Sequence, residues 1–587
     1  MTSPVLIRAS ALCVALMLSM VAGWLFIDFS APGGLNWLDL LRAVLIVISS
    51  FWLCWGSAAG LLGLFVSRRT IAAPSATPLG MTAILVPIYN EDPVATFSRV
   101  AAMNRSIADL GFSDWFHFAI LSDTTNLEIA AQEAVWFEHL LRESRAIGRI
   151  FYRRRSQNIG KKAGNVEDFI IHSGAAYDYA LILDADSLME GSTMVEMARR
   201  MQADPHLGLL QTLPKIINAR SFFGRSMQFS SAYLSPAFAR GSALMQGSEG
   251  PFWGHNAIVR ITAFAANCGL PILSGKPPFG GHILSHDYVE AALLARAGWK
   301  VLLDPTLTGS FEEGPENLIE YAKRDRRWCQ GNLQHRRLIG APGLRWWNRF
   351  AFVQGIMAYM ASPLWLLLLA ASIGAAAMPN RTPWIMPSEQ AENAVWSLVI
   401  GVTVLLILPK FLIFWRGVFD GENRKFGGTL RAIASVIAEV VFSTLSAPIM
   451  LMLQSRSVGQ VLLGLDGGWP ATKREQNHIT LADAFAHSWW IMLFGLGTLL
   501  AAAVFAPSIM LWILPAMLPM VAAPLLIGAG SRTARHGRRT ILFDTPTEQA
   551  PAPVMLERER ILARWRAETL EPHYVVDVVG SPIAVEA

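Results

Sequence analysis

Long apolar stretches constrain this chain more than any other feature, because an α-helix crosses a bilayer only with about 20 consecutive apolar residues. Residues 9–27 and 43–66 meet that requirement. After a long polar interval, so do 350–378, 393–415, 432–453, 487–506 and 508–528, the last two parted by Pro507. The composition agrees: 53% of residues are hydrophobic and 16% charged, whereas a soluble chain is about one quarter charged. Residues 9–27 are too long, and too lacking in a small-residue cleavage site, for a signal peptide.

Basic residues beside apolar segments stay on the cytosolic side. Arg8, the pair Arg68 and Arg69, and the tail cluster Arg532, Arg535, Arg538 and Arg539 place both termini and the polar interval there. The first linker, with Asp28 and Asp39, is left to face outward. Counting every apolar stretch as a span would put the termini on opposite sides. Residues 432–453 are the suspect, because they contain Glu439 and Pro448 between Arg431 and Arg456. They are expected to be re-entrant, interfacial, or a hairpin counted as one. The expected domains are 1–69 (paired spans), 70–349 (catalytic), 350–530 (spans and interface helices) and 531–587 (tail).

The net charge of +5 makes no case for nucleic acid. Cys13, Cys54, Cys268 and Cys329 form no CxxC pair, so neither a disulfide framework nor a zinc site is expected.

The polar interval alternates strand-like runs (82–88, 116–121, 150–152, 179–183) with helical patterns (93–110, 127–142, 162–172). This predicts an α/β domain with a parallel sheet covered by helices. Ligands bind beyond the carboxyl ends of such strands. Tyr89, Asn90, Glu91 and Asp92 follow the first run, Ser122 and Asp123 the second, and Asp184, Ala185 and Asp186 the fourth. One acidic cluster alone would ordinarily be a helix cap or a turn; several at strand ends point to a site.

Asp184 and Asp186, parted by one residue after Leu181-Ile182-Leu183, suit a hard divalent cation that takes its other ligands from water and a nucleotide diphosphate. Lys161 and Lys162 open a helix rich in small residues, a place that favours anions, although a solvated basic helix start has the same pattern. Asp287 precedes an apolar helix and suits either an N-cap or a general base. Arg324 and Arg327 share a helix face beside Trp328, which suits a leaving diphosphate and a sugar, or simply a basic juxtamembrane helix.

Asp123, Asp184-Ala185-Asp186, His286-Asp287 and Arg324-Asp325-Arg326-Arg327-Trp328, in that order, resemble the D, DxD, TED and QxxRW motifs of processive family-two glycosyltransferases, which include cellulose and hyaluronan synthases. SDTTN, LDADSLM, FWGHNAIVR, LSHDYVEAALLARAGW and RDRRWCQGNLQH are similar, more narrowly, to the glucosyltransferases that build osmoregulated periplasmic glucans in Gram-negative bacteria. That resemblance implies a GT-A-type catalytic domain inserted into a polytopic helical membrane domain in the inner membrane. It implies an inverting UDP-glucose-dependent β-1,2-glucan synthase that exports its growing chain and uses a divalent cation, magnesium or manganese. Membrane lipid, acyl carrier protein and a periplasmic glucan-modifying protein are its implied partners. Alternatives are a cellulose-like synthase and a lipid-glycosylating enzyme. A transporter would carry more charge within its spans.

By the same resemblance Tyr89, Glu91 and Asp123 contact the nucleotide, Lys162 the diphosphate, Asp184 the UDP and Asp186 the metal. Asp287 is the base. Trp253, Gly254 and His255, after Phe252, form the acceptor-binding turn. Arg324, Arg327 and Trp328 hold the pyrophosphate and the acceptor end. The chain departs from the pattern at Ser285 and His286, where the family has threonine and glutamate, and at Arg324, where it has glutamine. The gating loop of cellulose synthase is not present as such; Trp469, Thr472 and Lys473 stand at a similar place.

Overall fold

The computed structural model describes residues 3–30, 34–66, 79–378, 389–465, 479–533 and 542–568. Arg68, Arg69, Arg535, Arg538, Arg539 and the expected gate residues Trp469, Thr472 and Lys473 lie outside these. The chain forms two compact units. One comprises residues 73–204, 255–265 and 551–587; the other comprises 1–72, 205–254 and 266–550. The expected 70–349 domain is therefore shared between them.

Helices α1 (Pro4–Ser30) and α2 (Trp37–Phe65) open the chain. A capping box starts α2. Asn36 Oδ1 accepts the Asp39 N–H at 3.1 Å, and the Asp39 carboxylate accepts the Asn36 N–H at 3.0 Å. Asp39 also pairs with Arg42 and is fully buried, so it does not face solvent.

The first unit alternates β1 (Thr82–Ile88), α3 (Pro93–Ala108), β2 (Phe116–Ser122), α4 (Leu127–Ser144), β3 (Ile150–Arg154), α5 (Lys161–Ser173) and β4 (Tyr179–Ile182). The short β5 (Leu188–Met189) and α6 (Gly191–Ala203) follow. Strands β3, β2, β1 and β4 lie side by side in that order, all parallel. Ala83, Ile84 and Leu85 of β1 are completely buried, because helices cover both faces of a parallel sheet.

The chain then enters the second unit through β6 (Leu207–Thr212), β7 (Lys215–Ile217), α7 (Phe222–Tyr233) and α8 (Ser235–Gln246). Helix α8 crosses α2 at Gly63 and Gly241. A side chain on either glycine would overlap a backbone carbonyl of the other helix, Ala237 or Ala59. Arg8 of α1 donates to the Met245 carbonyl at 2.6 Å and to Glu249 at 2.7 Å, so this residue, expected as a topology signal, is also a packing anchor. The chain returns to the first unit as β8 (Ala257–Arg260), antiparallel to β4, which makes that sheet mixed. Helix α9 (Ile261–Asn267) follows.

The remaining elements are α10 (His286–Arg296), β9 (Lys300–Asp304), β10 (Ser310–Glu313), α11 (Leu318–Gln334), α12 (Trp346–Ala376), α13 (Glu389–Phe419), α14 (Thr429–Leu462), α15 (Leu481–Phe505), α16 (Met510–Val521), α17 (Ala523–Gly530), α18 (Pro546–Gln549) and α19 (Pro553–Ala567). In the second unit β6 pairs with β9 and β7 with β10, both in parallel.

Among the described residues 6 helices are long and apolar enough to cross a membrane: α1, α2, α12, α13, α14 and α15. Two sequence expectations are corrected here. Residues 432–453 are neither a hairpin nor re-entrant, because α14 runs unbroken through Pro448. Residues 508–528, expected as a plain span, are instead the bent pair α16 and α17, angled at 56°. Pro515, Pro519 and Pro524 concentrate at this break, where each removes a backbone donor.

Helix α14 meets α7 near its middle and α11 toward its C-terminal end. Phe442 packs edge-on against Phe222 and Phe223. Gln454 donates to Asp325 at 3.0 Å, and Arg326 donates to Gln460 at 3.1 Å and to the Leu465 carbonyl at 2.8 Å. Tyr321 of α11 packs on Phe223 of α7. Glu439 accepts from Lys410 of α13 at 2.6 Å, which pairs both charges.

Residues 542–550 belong to the second unit, where the Phe543 N–H donates to Ser435 at 2.9 Å and Arg225 donates to Glu548 at 2.6 Å. Helix α19 belongs to the first unit. Its Trp565 is completely buried against Trp136 and His139, with the indole N–H donating to Glu143.

Candidate active site

The parallel register aligns Ile88 with Ser122 and Leu85 with Ile182, so β1, β2 and β4 end along one rim. Tyr89, Glu91, Asp123, Asp184 and Asp186 all follow these ends, as expected from the alternating pattern. Asn90, in a left-handed conformation (φ 54°), joins the first two ends. Its amide oxygen accepts the N–H groups of Thr125 (3.1 Å) and Asn126 (3.0 Å), and its own N–H donates to Thr124 Oγ1 (3.0 Å).

Asp123 is buried and gripped by Arg155, whose Nε and Nη2 donate to its two oxygens at 2.8 and 2.7 Å. Such a two-point contact fixes the carboxylate plane and leaves a lone pair on each oxygen for a ligand donor. Sequence reasoning missed Arg155. The signal was the basic run Arg153-Arg154-Arg155 after the third strand, which contains no indication of which arginine turns back.

The Asp184-Ala185-Asp186 turn is held by Ser187. That hydroxyl accepts the Asp184 N–H at 2.9 Å and donates to Asn256 at 2.6 Å. Lys162, in the first turn of α5, is ion-paired with Asp184. The predicted diphosphate ligand and the first carboxylate of the turn are thus adjacent. Asp186 is buried at 7% exposure, and Asp184 is more open. Two hard carboxylates beside a lysine suit a cation that shares its shell with phosphate oxygens. Among the described residues no three His, Cys, Asp or Glu side chains converge, so a cation at this turn would need further ligands from outside that set.

The second unit contains the other expected residues except His255, which belongs to the first. Gly254 has φ +87°, and a Cβ there would stand 3.3 Å from Asp287 Oδ2, so the turn after Phe252 and the Asp287 carboxylate face each other closely. The Trp253 N–H donates to Gln211 of β6 at 2.7 Å. Asp287 is not an N-cap: Ser285 holds that position, and Asp287 lies in the first turn of α10. A carboxylate there faces the positive end of the helix dipole. His335 supports this entry from beneath, its Nε2 at 2.9 Å from the Ser285 carbonyl. Burial pushes the His335 imidazole down to about 4, so it is neutral near pH 7 and donates from Nε2. His286 pairs with Glu290 of the same helix at 3.0 Å.

Arg324, Arg327 and Trp328 share one face of α11, spaced at i, i+3 and i+4, and Trp328 is 49% exposed. Asp325 and Cys329 occupy a buried face. Burial raises the Asp325 carboxyl above its ordinary range, opposed by hydrogen bonds from Gln454 and Tyr359.

The profile of Glycosyl transferase family group 2 matches residues 179–415. A glucans biosynthesis glucosyltransferase H from Cereibacter sphaeroides is 53% identical over 569 residues, 95% of each chain. The chain belongs to the glucans biosynthesis glucosyltransferase H family. A member of that family from Shewanella sp. strain ANA-3 is 38% identical over 94% of this chain and 78% of its own. A solved mannosyltransferase from Pyrobaculum calidifontis, in complex with GDP-Man and Mn2+, is similar at a TM-score of 0.40 and 14% identity, over 65% of this chain and 99% of that one. Membership makes the protein a glycosyltransferase of glucan biosynthesis, with several helices suited to a membrane.

Proposed function

We propose that this glucosyltransferase polymerises glucose from UDP-glucose into the linear β-1,2-glucan backbone of osmoregulated periplasmic glucans, and exports it across the inner membrane through its spans. The observation that carries the reading is the rim of β1, β2 and β4. Asp123 is pre-oriented there by Arg155, and Lys162 is set against the Asp184 turn. Base recognition by Asp123 and diphosphate recognition by Lys162 would thus lie at the ends of β2 and β4, the two parallel strands that flank β1.

Tyr89, Glu91 and Asp123 bind the nucleoside. Lys162 leaves Asp184 for the diphosphate. A divalent cation, magnesium or manganese, is held when bound by Asp186 with Asp184 and offsets the charge on the leaving UDP. Asp287 takes the proton of the acceptor hydroxyl, whose oxygen attacks the anomeric carbon in line; the bond to UDP breaks, and the α-linked donor becomes a β-linkage. Arg324 and Arg327 stabilise the departing pyrophosphate, and Trp328, with Trp253, Gly254 and His255, seats the acceptor end. Trp469, Thr472 and Lys473 serve as the gate. Membrane lipid, acyl carrier protein and a periplasmic glucan-modifying protein remain its proposed partners.

Purified protein in proteoliposomes, given UDP-glucose and magnesium, is expected to make a polymer cut only by a β-1,2-specific hydrolase. A polymer of another linkage overturns the linkage, labelled lipid without polymer favours a lipid-glycosylating enzyme, and no transfer overturns the reading.

Both termini and the catalytic residues are proposed to be cytosolic, with α14 lying along the membrane surface. A helix of 34 residues is about 50 Å long against a hydrocarbon core of about 30 Å. The mutually packed α7 and α11 follow it from Phe442, near its middle, to Gln460, near its C-terminal end, about 27 Å of helix, whereas a spanning helix would meet cytosolic elements at one end only. With α14 in the interface, and α16 and α17 together crossing once, the termini share one side. A cysteine placed at Gly464 is expected to react with impermeant maleimide only in inverted vesicles; labelling from the periplasmic side would refute this topology.

A further inference from the structure

Glu133, on α4, is completely buried and lies outside every motif named above. Its carboxylate accepts three hydroxyl protons: from Ser122 at 2.7 Å, from Thr124 at 2.5 Å and from Tyr152 of β3 at 2.8 Å. Ser122 and Thr124 are the chain neighbours of Asp123 on either side. Each of their hydroxyl oxygens already accepts a backbone N–H: Ser122 Oγ from Thr124 at 3.2 Å, and Thr124 Oγ1 from Asn90 at 3.0 Å. Their own protons are therefore directed at Glu133. A buried carboxylate is costly unless several donors meet it. Here every donor that meets it belongs to the end of β2, the loop beyond it, or the neighbouring strand β3.

We infer that Glu133 is a positioning residue that sets the place of Asp123, and hence the affinity for the nucleoside of the donor, without touching the substrate. This rests on the reading that Asp123 binds the nucleoside. A glutamine in its place keeps the shape but brings an NH₂ group. That group would face a hydroxyl oxygen already accepting a backbone N–H, and would leave the hydroxyl proton without an acceptor. The Asp123 loop must then shift, while the Lys162 and Asp184 subsite, built on α5 and β4, stays in place.

The test compares Glu133→Gln, Tyr152→Phe and Asp123→Ala with the native enzyme in proteoliposomes. For Glu133→Gln, KM for UDP-glucose and the Kd of UDP are expected to rise roughly ten-fold, about the worth of one buried hydrogen bond. Tyr152→Phe, which removes one donor and leaves the carboxylate, is expected to move the same way by less. Turnover at saturation and inhibition by magnesium pyrophosphate, which reports the diphosphate subsite alone, should stay within about two-fold. Turnover falling while KM and UDP affinity hold, or pyrophosphate inhibition shifting as far as UDP binding, overturns the proposal. So does UDP affinity that is unchanged in Glu133→Gln but weakened in Asp123→Ala. Unchanged affinity in both variants overturns the reading of Asp123, and the proposal with it.

Discussion

The Asp287→Asn enzyme will bind UDP as tightly as the native protein and transfer glucose about 10²–10⁴-fold more slowly, the range expected when a general base is lost. Asparagine keeps the shape of the side chain and its fit against Gly254, but it cannot take a proton. The helix cap does not depend on this residue, because Ser285 occupies the N-cap position. Stability should therefore change by less than about 1 kcal/mol, the loss of one charge near a helix N-terminus. Single-turnover transfer and UDP titration on the same preparation separate the two effects. Native turnover in this variant would remove Asp287 from the chemistry and leave it a dipole-compensating residue.

Replacing Asp325 by alanine is expected to have the largest effect on folding. Its buried carboxylate joins α11 to Gln454 of α14 at 3.0 Å and to Tyr359 of α12. Gln454 in turn accepts the Ser362 hydroxyl at 2.6 Å. Truncation strands the Gln454 amide and the Tyr359 hydroxyl without water to replace the lost acceptor, at about 3 kcal/mol. A clear fall in melting temperature and in detergent-extractable protein should follow, with partial recovery in Asp325→Asn, which keeps one acceptor oxygen. Since Arg324, Arg327 and Trp328 stand on the same helix, the surviving Asp325→Ala enzyme should also lose turnover. A variant of native melting temperature would show that α11 is held by its apolar contacts alone.

Much of the site was legible because parallel strands are continuous apolar runs. The residues after each run had to fall at one sheet edge, and the structure places Tyr89, Asp123 and Asp184 there. The spacing of Arg324, Arg327 and Trp328 likewise predicted one helix face, which α11 presents. Periodicity did not extend to what binds these groups from elsewhere in the chain. Arg155, Ser187, Asn256 and Glu133 are ordinary polar residues in sequence, and only packing turns them toward Asp123 and Asp184.

Apolar length was a weaker guide to the membrane segments. It registers hydrophobicity and ignores direction, so residues 508–528 read as a plain span although α16 and α17 are angled at 56°, and residues 432–453 stood apart only through Glu439 and Pro448. The tail shows the same limit. Trp565 stands between Arg564 and Arg566 in the sequence, yet it is buried against Trp136.

The residues of this chain by themselves determined the alternation of strand and helix, the acidic strand ends and the arginine-tryptophan face, because each follows from backbone periodicity within a short window. The tertiary structure alone decided that Glu133 secures the Asp123 loop, that Asp325 ties α11 to its neighbours, and that α19 completes the first unit. Those outcomes depend on buried polar groups finding partners far away in sequence, and desolvation makes such partners obligatory without specifying in advance which residues they will be.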